Sequence, residues 1–146
     1  MSTKEMQERL VENMKKLQAV EDMSVASTGR IIGETQNPLI RLIMEIIQRD
    51  SHMHRRVQEF IAGTLEQQAV SLTPEELGKA WEGIERHIDI ERRMVQYLDE
   101  SLEDLKGKRM LVQEYLVKYL REDERKHNDL LSALEQIKRD AYPYVS

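Results

Sequence analysis

Glu124 and His127 stand where a helix would be expected to carry only leucine. Leu116, Leu120, Glu124, His127, Leu131 and Leu134 recur at three- and four-residue steps, which puts all six on one helical face. Moving an isolated carboxylate out of water costs several kcal/mol, so an acid in that stripe requires an opposite charge, hydrogen bonds or a metal ion. The same interruption recurs along the chain. Glu21 continues a face begun by Met6, Leu10, Met14 and Leu17. Asp50 and His54 lie among Leu39, Ile43, Ile46, Ile47, Val57, Ile61 and Leu65. Glu91, with His87 one turn before it, lies among Leu77, Trp81, Ile84, Ile88, Val95, Leu98 and Leu102.

The elements that position these residues are legible from their ends. Ser2 with Glu5 has capping-box spacing, Asn37-Pro38 is an N-cap followed by a first-turn proline, and Thr73-Pro74-Glu75-Glu76 combines both signals. Lys106-Gly107-Lys108 reads as a tight turn with glycine at the left-handed position after a helix. The expected elements are helices over residues 3–35, 38–69, 74–106 and 108–140, with Gly29 and Gly33 weakening the end of the first and Pro143 closing the last. The expected fold class is therefore all-α: one domain over residues 1–146, a four-helix bundle of long antiparallel helices.

The second and fourth helices also repeat one another. Aligning His54 with His127 places Ile43 on Leu116, Ile47 on Leu120, Asp50 on Asp123 and Ile61 on Leu134, with Ser51 where the other copy has Glu124. With the helices side by side in alternating directions, Glu21, Asp50, His54, His87, Glu91, Glu124 and His127 fall within about seven residues of one height, or ~10 Å of helix. A lone carboxylate from each of two helices, with Glu-x-x-His pairs from others, is the inward-facing arrangement that holds two iron or manganese ions in a bundle core. Residues three apart point nearly the same way, so the glutamate faces both ions while the histidine caps one.

The run Asp123-Glu124-Arg125-Lys126-His127-Asn128-Asp129-Leu130-Leu131 resembles the fourth-helix motif of the ferritin-like, rubrerythrin-type di-iron proteins, and Glu91 followed by Tyr97 resembles their third-helix pattern. The resemblance implies that Glu124 bridges two metals, that His127 and His54 are terminal ligands, and that Glu91 and Glu21 are the lone carboxylates. Ser51 departs from the pattern at the second motif glutamate, and Asp50 or His87 is the replacement the sequence offers. The connection departs as well. Ferritin-like bundles cross the full bundle height between helices two and three, whereas about eleven residues from Gly63 to Thr73 reach only ~37 Å of the ~50 Å required. This leaves a plain up-down-up-down bundle, as in hemerythrin-like proteins, or helix pairs exchanged in a homodimer.

Composition narrows the chemistry. Cysteine is absent, which removes disulfides, thiolate metal sites, iron–sulfur clusters and thiol catalysis, so any metal uses oxygen and nitrogen ligands. A net charge of −5 with basic residues scattered among acids argues against a nucleic-acid partner. No apolar run approaches the ~20 residues of a membrane span, and the polar start MSTKEMQERL suits a cytoplasmic chain. The expected function is a non-haem di-iron or di-manganese protein that handles dioxygen, peroxide or iron, as a peroxidase- or ferroxidase-like oxidoreductase. The alternatives are a metal-free interaction module with a buried Glu–His layer, and a hemerythrin-like carrier or sensor of O2 or NO.

Overall fold

The computed structural model describes residues 1–70 and 72–141. Four α-helices account for the regular structure: α1 (Thr3–Glu34), α2 (Pro38–Glu66), α3 (Pro74–Leu105) and α4 (Leu111–Ala141). This is the all-α, four-helix class expected. The chain divides into two compact units, one built from α1 and α2 and the other from α3 and α4.

Local chemistry explains where the helices start. Ser2 and Glu5 form the reciprocal capping box at 3.1 Å in both directions, and Thr73 and Glu76 form its counterpart at 3.2 Å. Asn37 Oδ1 accepts from the backbone N–H groups of Leu39 and Ile40, with Pro38 in the first turn. These bonds satisfy donors that the helix itself leaves free.

In the α1–α2 unit a three-residue connection turns the chain back on itself. Arg41 Nη1 donates to the carbonyls of Ile32 and Thr35 at 2.6 and 3.2 Å, placing a cation on the negative end of α1. Asp22–Arg55 and Lys15–Glu66 ion pairs link the antiparallel helices farther along. The glycines expected to weaken α1 do not break it. At Gly29 a Cβ would come within 3.3 Å of Gln48 Nε2, whose amide reaches across to the Val25 carbonyl, so a bare α-carbon serves close packing there.

In the α3–α4 unit Leu77 and Trp81 are buried. Trp81 Nε1 donates to Glu85, and Lys138 Nζ lies 4.4 Å from the ring centroid, so the indole anchors both helices. Arg121 pairs with Asp99 between the helices.

Two boundaries differ from expectation by more than one residue. α2 stops at Glu66, three residues early, where the Gln67 and Gln68 N–H groups both turn back to the Gly63 carbonyl. α4 begins at Leu111 instead of residue 108. Gly107 (φ 71°) takes the left-handed conformation anticipated for it, but Arg109 (φ 55°) does so too, which extends the turn. Pro143 lies outside the described residues.

Candidate metal centre

Midway along the α3–α4 unit, Glu91 from one helix meets Glu124 and His127 from the other. The three-residue step places the α4 pair on one face, and the antiparallel register brings Glu91 opposite them. Glu91 is only 6% exposed although it is a carboxylate. His127 Nδ1 lies 3.4 Å from Glu91 Oε1 and 3.5 Å from Glu124 Oε2. One ligand atom from each residue lies within 4.8 Å of the others. Ligands ~2.1 Å from a shared ion are at most ~4.2 Å apart, and both separations from His127 Nδ1 already fall inside that limit.

Hydrogen bonding leaves a specific deficit. His87 Nε2 lies 2.7 Å from Glu91 Oε1, so that oxygen has two imidazole neighbours. Glu91 Oε2 and Glu124 Oε2 are both buried and without a hydrogen-bond partner. A buried carboxylate oxygen without a protein donor carries a desolvation cost that an intramolecular bond normally offsets. Of these two oxygens, Glu124 Oε2 lies beside His127 Nδ1, and the same nitrogen meets the other carboxylate through Glu91 Oε1, an arrangement that suits a cation. The opposite ring nitrogen, His127 Nε2, faces Asp123 Oδ2 at 3.7 Å. A proton held on that side leaves the Nδ1 lone pair directed at the two glutamates.

The α1–α2 unit places the remaining candidates differently. Glu21 Oε1 lies 3.4 Å from His54 Nδ1 and accepts a long hydrogen bond, also 3.4 Å, from Gln58 Nε2. The His54 side chain is mostly exposed. Ser51, at the place of the motif glutamate, is 5% exposed and bonded to Ser24 at 2.8 Å, Oγ to Oγ. Asp50 is half-buried and makes no hydrogen bond or ion pair with His54 among the described residues. The structure thus brings Glu91, Glu124 and His127 together with His87 against them, and separately brings Glu21 to His54.

Comparison with protein-family models, curated proteins and solved structures yields no match. The case for this centre therefore rests on its geometry.

Sequence reasoning passed over three participants. Gln58, buried with Oε1 unpaired, is one turn beyond His54 on the same stripe. Ser24, one turn beyond Glu21 on α1, bonds to Ser51. Asp123 appeared in the repeat as the partner of Asp50, yet only the α4 copy faces its histidine. Tyr97 and Tyr115 are both exposed. No helix among the described residues is long and apolar enough to cross a membrane.

Proposed function

We propose that the α3–α4 unit binds divalent iron or manganese through Glu91, Glu124 and His127. We further propose that the chain is a divergent ferritin-like, rubrerythrin-type protein that handles dioxygen, peroxide or iron itself in the cytoplasm. The observation that carries this reading is that Glu91 and Glu124 each keep a buried oxygen without a hydrogen-bond partner while both carboxylates lie within 3.5 Å of His127 Nδ1. Carboxylates and imidazole without thiolate suit first-row divalent ions of this kind.

Each side chain has a defined task. Glu91 and Glu124 supply negative charge and the free oxygens. His127 supplies a ring nitrogen, Nδ1, with Asp123 3.7 Å from the opposite ring nitrogen. His87 restrains the orientation of Glu91 through its 2.7 Å contact. A bound iron or manganese ion would contribute Lewis acidity and one-electron chemistry.

The competing reading is a metal-free Glu–His layer that sets helix register, and the short His87–Glu91 contact favours it. It leaves the two buried oxygens unexplained. Titration of metal-free protein with Mn(II) or anaerobic Fe(II), followed by calorimetry, separates the two. Micromolar or tighter binding, weakened at least tenfold by Glu124→Gln and by His127→Ala, supports the metal centre. Absence of saturable binding in the unaltered chain sinks it.

A further inference from the structure

The α3–α4 unit contributes two glutamates and one histidine close enough to share a cation. That is half of the set that holds two ions in a bundle core, namely a lone glutamate from each of two helices and Glu-x-x-His from each of two others. The α1–α2 unit does not carry the other half. Its motif position is Ser51, already bonded to Ser24, and Glu21 is engaged by Gln58 and His54. A second copy of α3–α4 carries the missing half residue for residue.

Resting on the assignment of Glu91, Glu124 and His127 as ligands, we infer that the metal centre is completed across a twofold axis by the α3–α4 unit of a second copy of this chain. The charge count agrees. Four glutamates from two copies balance two divalent cations, whereas Glu91 and Glu124 with Glu21 would leave one positive charge over.

The surface around the half-site fits such an occupant. On α3, Ile90, Met94 and Tyr97 are exposed at three- and four-residue steps beside Glu91. On α4, Leu120, Leu130 and Ile137 are exposed on either side of His127, and Leu130 is 66% exposed. Apolar side chains ranged along both helices beside the buried Glu91 are the kind of surface an isologous twofold contact buries. His127 itself is partly exposed. In the dimer the open edge of the half-site becomes the middle of a four-helix arrangement, and the free oxygens of Glu91 and Glu124 face a pair of ions.

The test uses the full chain, Mn(II) as the probe, native mass spectrometry for stoichiometry and electron paramagnetic resonance for the ion environment. The expected result is a dimer holding two Mn(II) ions with the spectrum of an exchange-coupled pair. Leu130→Arg, outside the ligand set and on an exposed position, is expected to give a helical monomer with Mn(II) affinity reduced at least tenfold. Val57→Arg, its counterpart in the repeat, is expected to leave stoichiometry and spectrum unchanged.

A monomer that binds Mn(II) as tightly as the unaltered chain, with an isolated six-line spectrum, overturns the shared site and leaves Glu91, Glu124 and His127 as ligands. Loss of Mn(II) on His54→Ala as complete as on His127→Ala overturns it in favour of completion within one chain. No Mn(II) binding by the unaltered chain overturns both the shared site and the assignment beneath it.

Discussion

Where α3 and α4 set Glu91 against Glu124 and His127, the corresponding stretch of α1 and α2 sets Glu21 against His54 and Gln58, with Ser24 bonded to Ser51. The two units share helix lengths, capping logic and the spacing of their stripes. They differ in how the buried polar groups are satisfied. The serine pair bonds to itself, one hydroxyl donating and the other accepting. The glutamates do not, since each retains an oxygen with no partner. The α1–α2 unit leaves one neutral amide oxygen, Gln58 Oε1, unpaired, whereas α3–α4 leaves two carboxylate oxygens, the more costly groups to bury, which marks α3–α4 as the place where something else binds.

Converting one unit toward the other gives the sharpest tests. Ser51→Glu rebuilds the Glu-x-x-His motif on α2 but puts a carboxylate at a site only 5% exposed. Metal-free protein carrying it is expected to lose about 3 kcal/mol or more of stability, roughly a 10 °C fall in melting temperature. Added Mn(II) should restore part of that loss, and a melting curve insensitive to both changes would mean that the α2 position tolerates charge without help.

Next in size, Glu124→Gln is expected to weaken Mn(II) binding about 100-fold, or ~2.7 kcal/mol, against less than threefold for Glu21→Gln. Equal losses in calorimetric titrations would erase the distinction between the units. Saturating metal should correspondingly raise the melting temperature of the unaltered chain by about 5–10 °C and leave Glu124→Gln almost unmoved.

A smaller effect runs the other way. In metal-free protein, Glu91→Gln removes a buried charge with an unpaired oxygen and should stabilise the chain by about 1 kcal/mol, seen in urea denaturation. Destabilisation instead would show that the His87 and His127 contacts already satisfy Glu91 without metal. The smallest change expected is for Lys138→Ala, which removes the cation over Trp81 and should cost about 0.5–1 kcal/mol without altering metal affinity.

Much of this organisation is legible in the chain. Ser2 with Glu5, Asn37 with Pro38, and Thr73 with Pro74 and Glu76 announce three helix starts, because a cap is a contact between residues two or three apart. The fourth start is misplaced because its turn depends on Arg109 adopting a left-handed conformation, which arginine chemistry does not advertise. The early end of α2 has no glycine or proline immediately after it to signal a stop. At the candidate centre, the stripe places Glu124 and His127 together without ambiguity. It places Asp50 as readily as Asp123, although only Asp123 faces its histidine, because both pairs lie four apart on one helix and the side-chain rotamer decides whether they meet, His54 being turned to Glu21 on the facing helix.

The sequence by itself determined that the chain is helical, where its caps lie, and that acids and histidines interrupt the apolar faces, since all of these follow from spacing along one strand of backbone. Only the tertiary structure decided which interruptions meet: Glu91 with Glu124 and His127, Ser24 with Ser51, Glu21 with His54 and Gln58. Periodicity sets the direction in which a residue leaves its own helix. Register and rotation between two packed helices set what it finds there, and those are properties of the whole interface rather than of any one stripe.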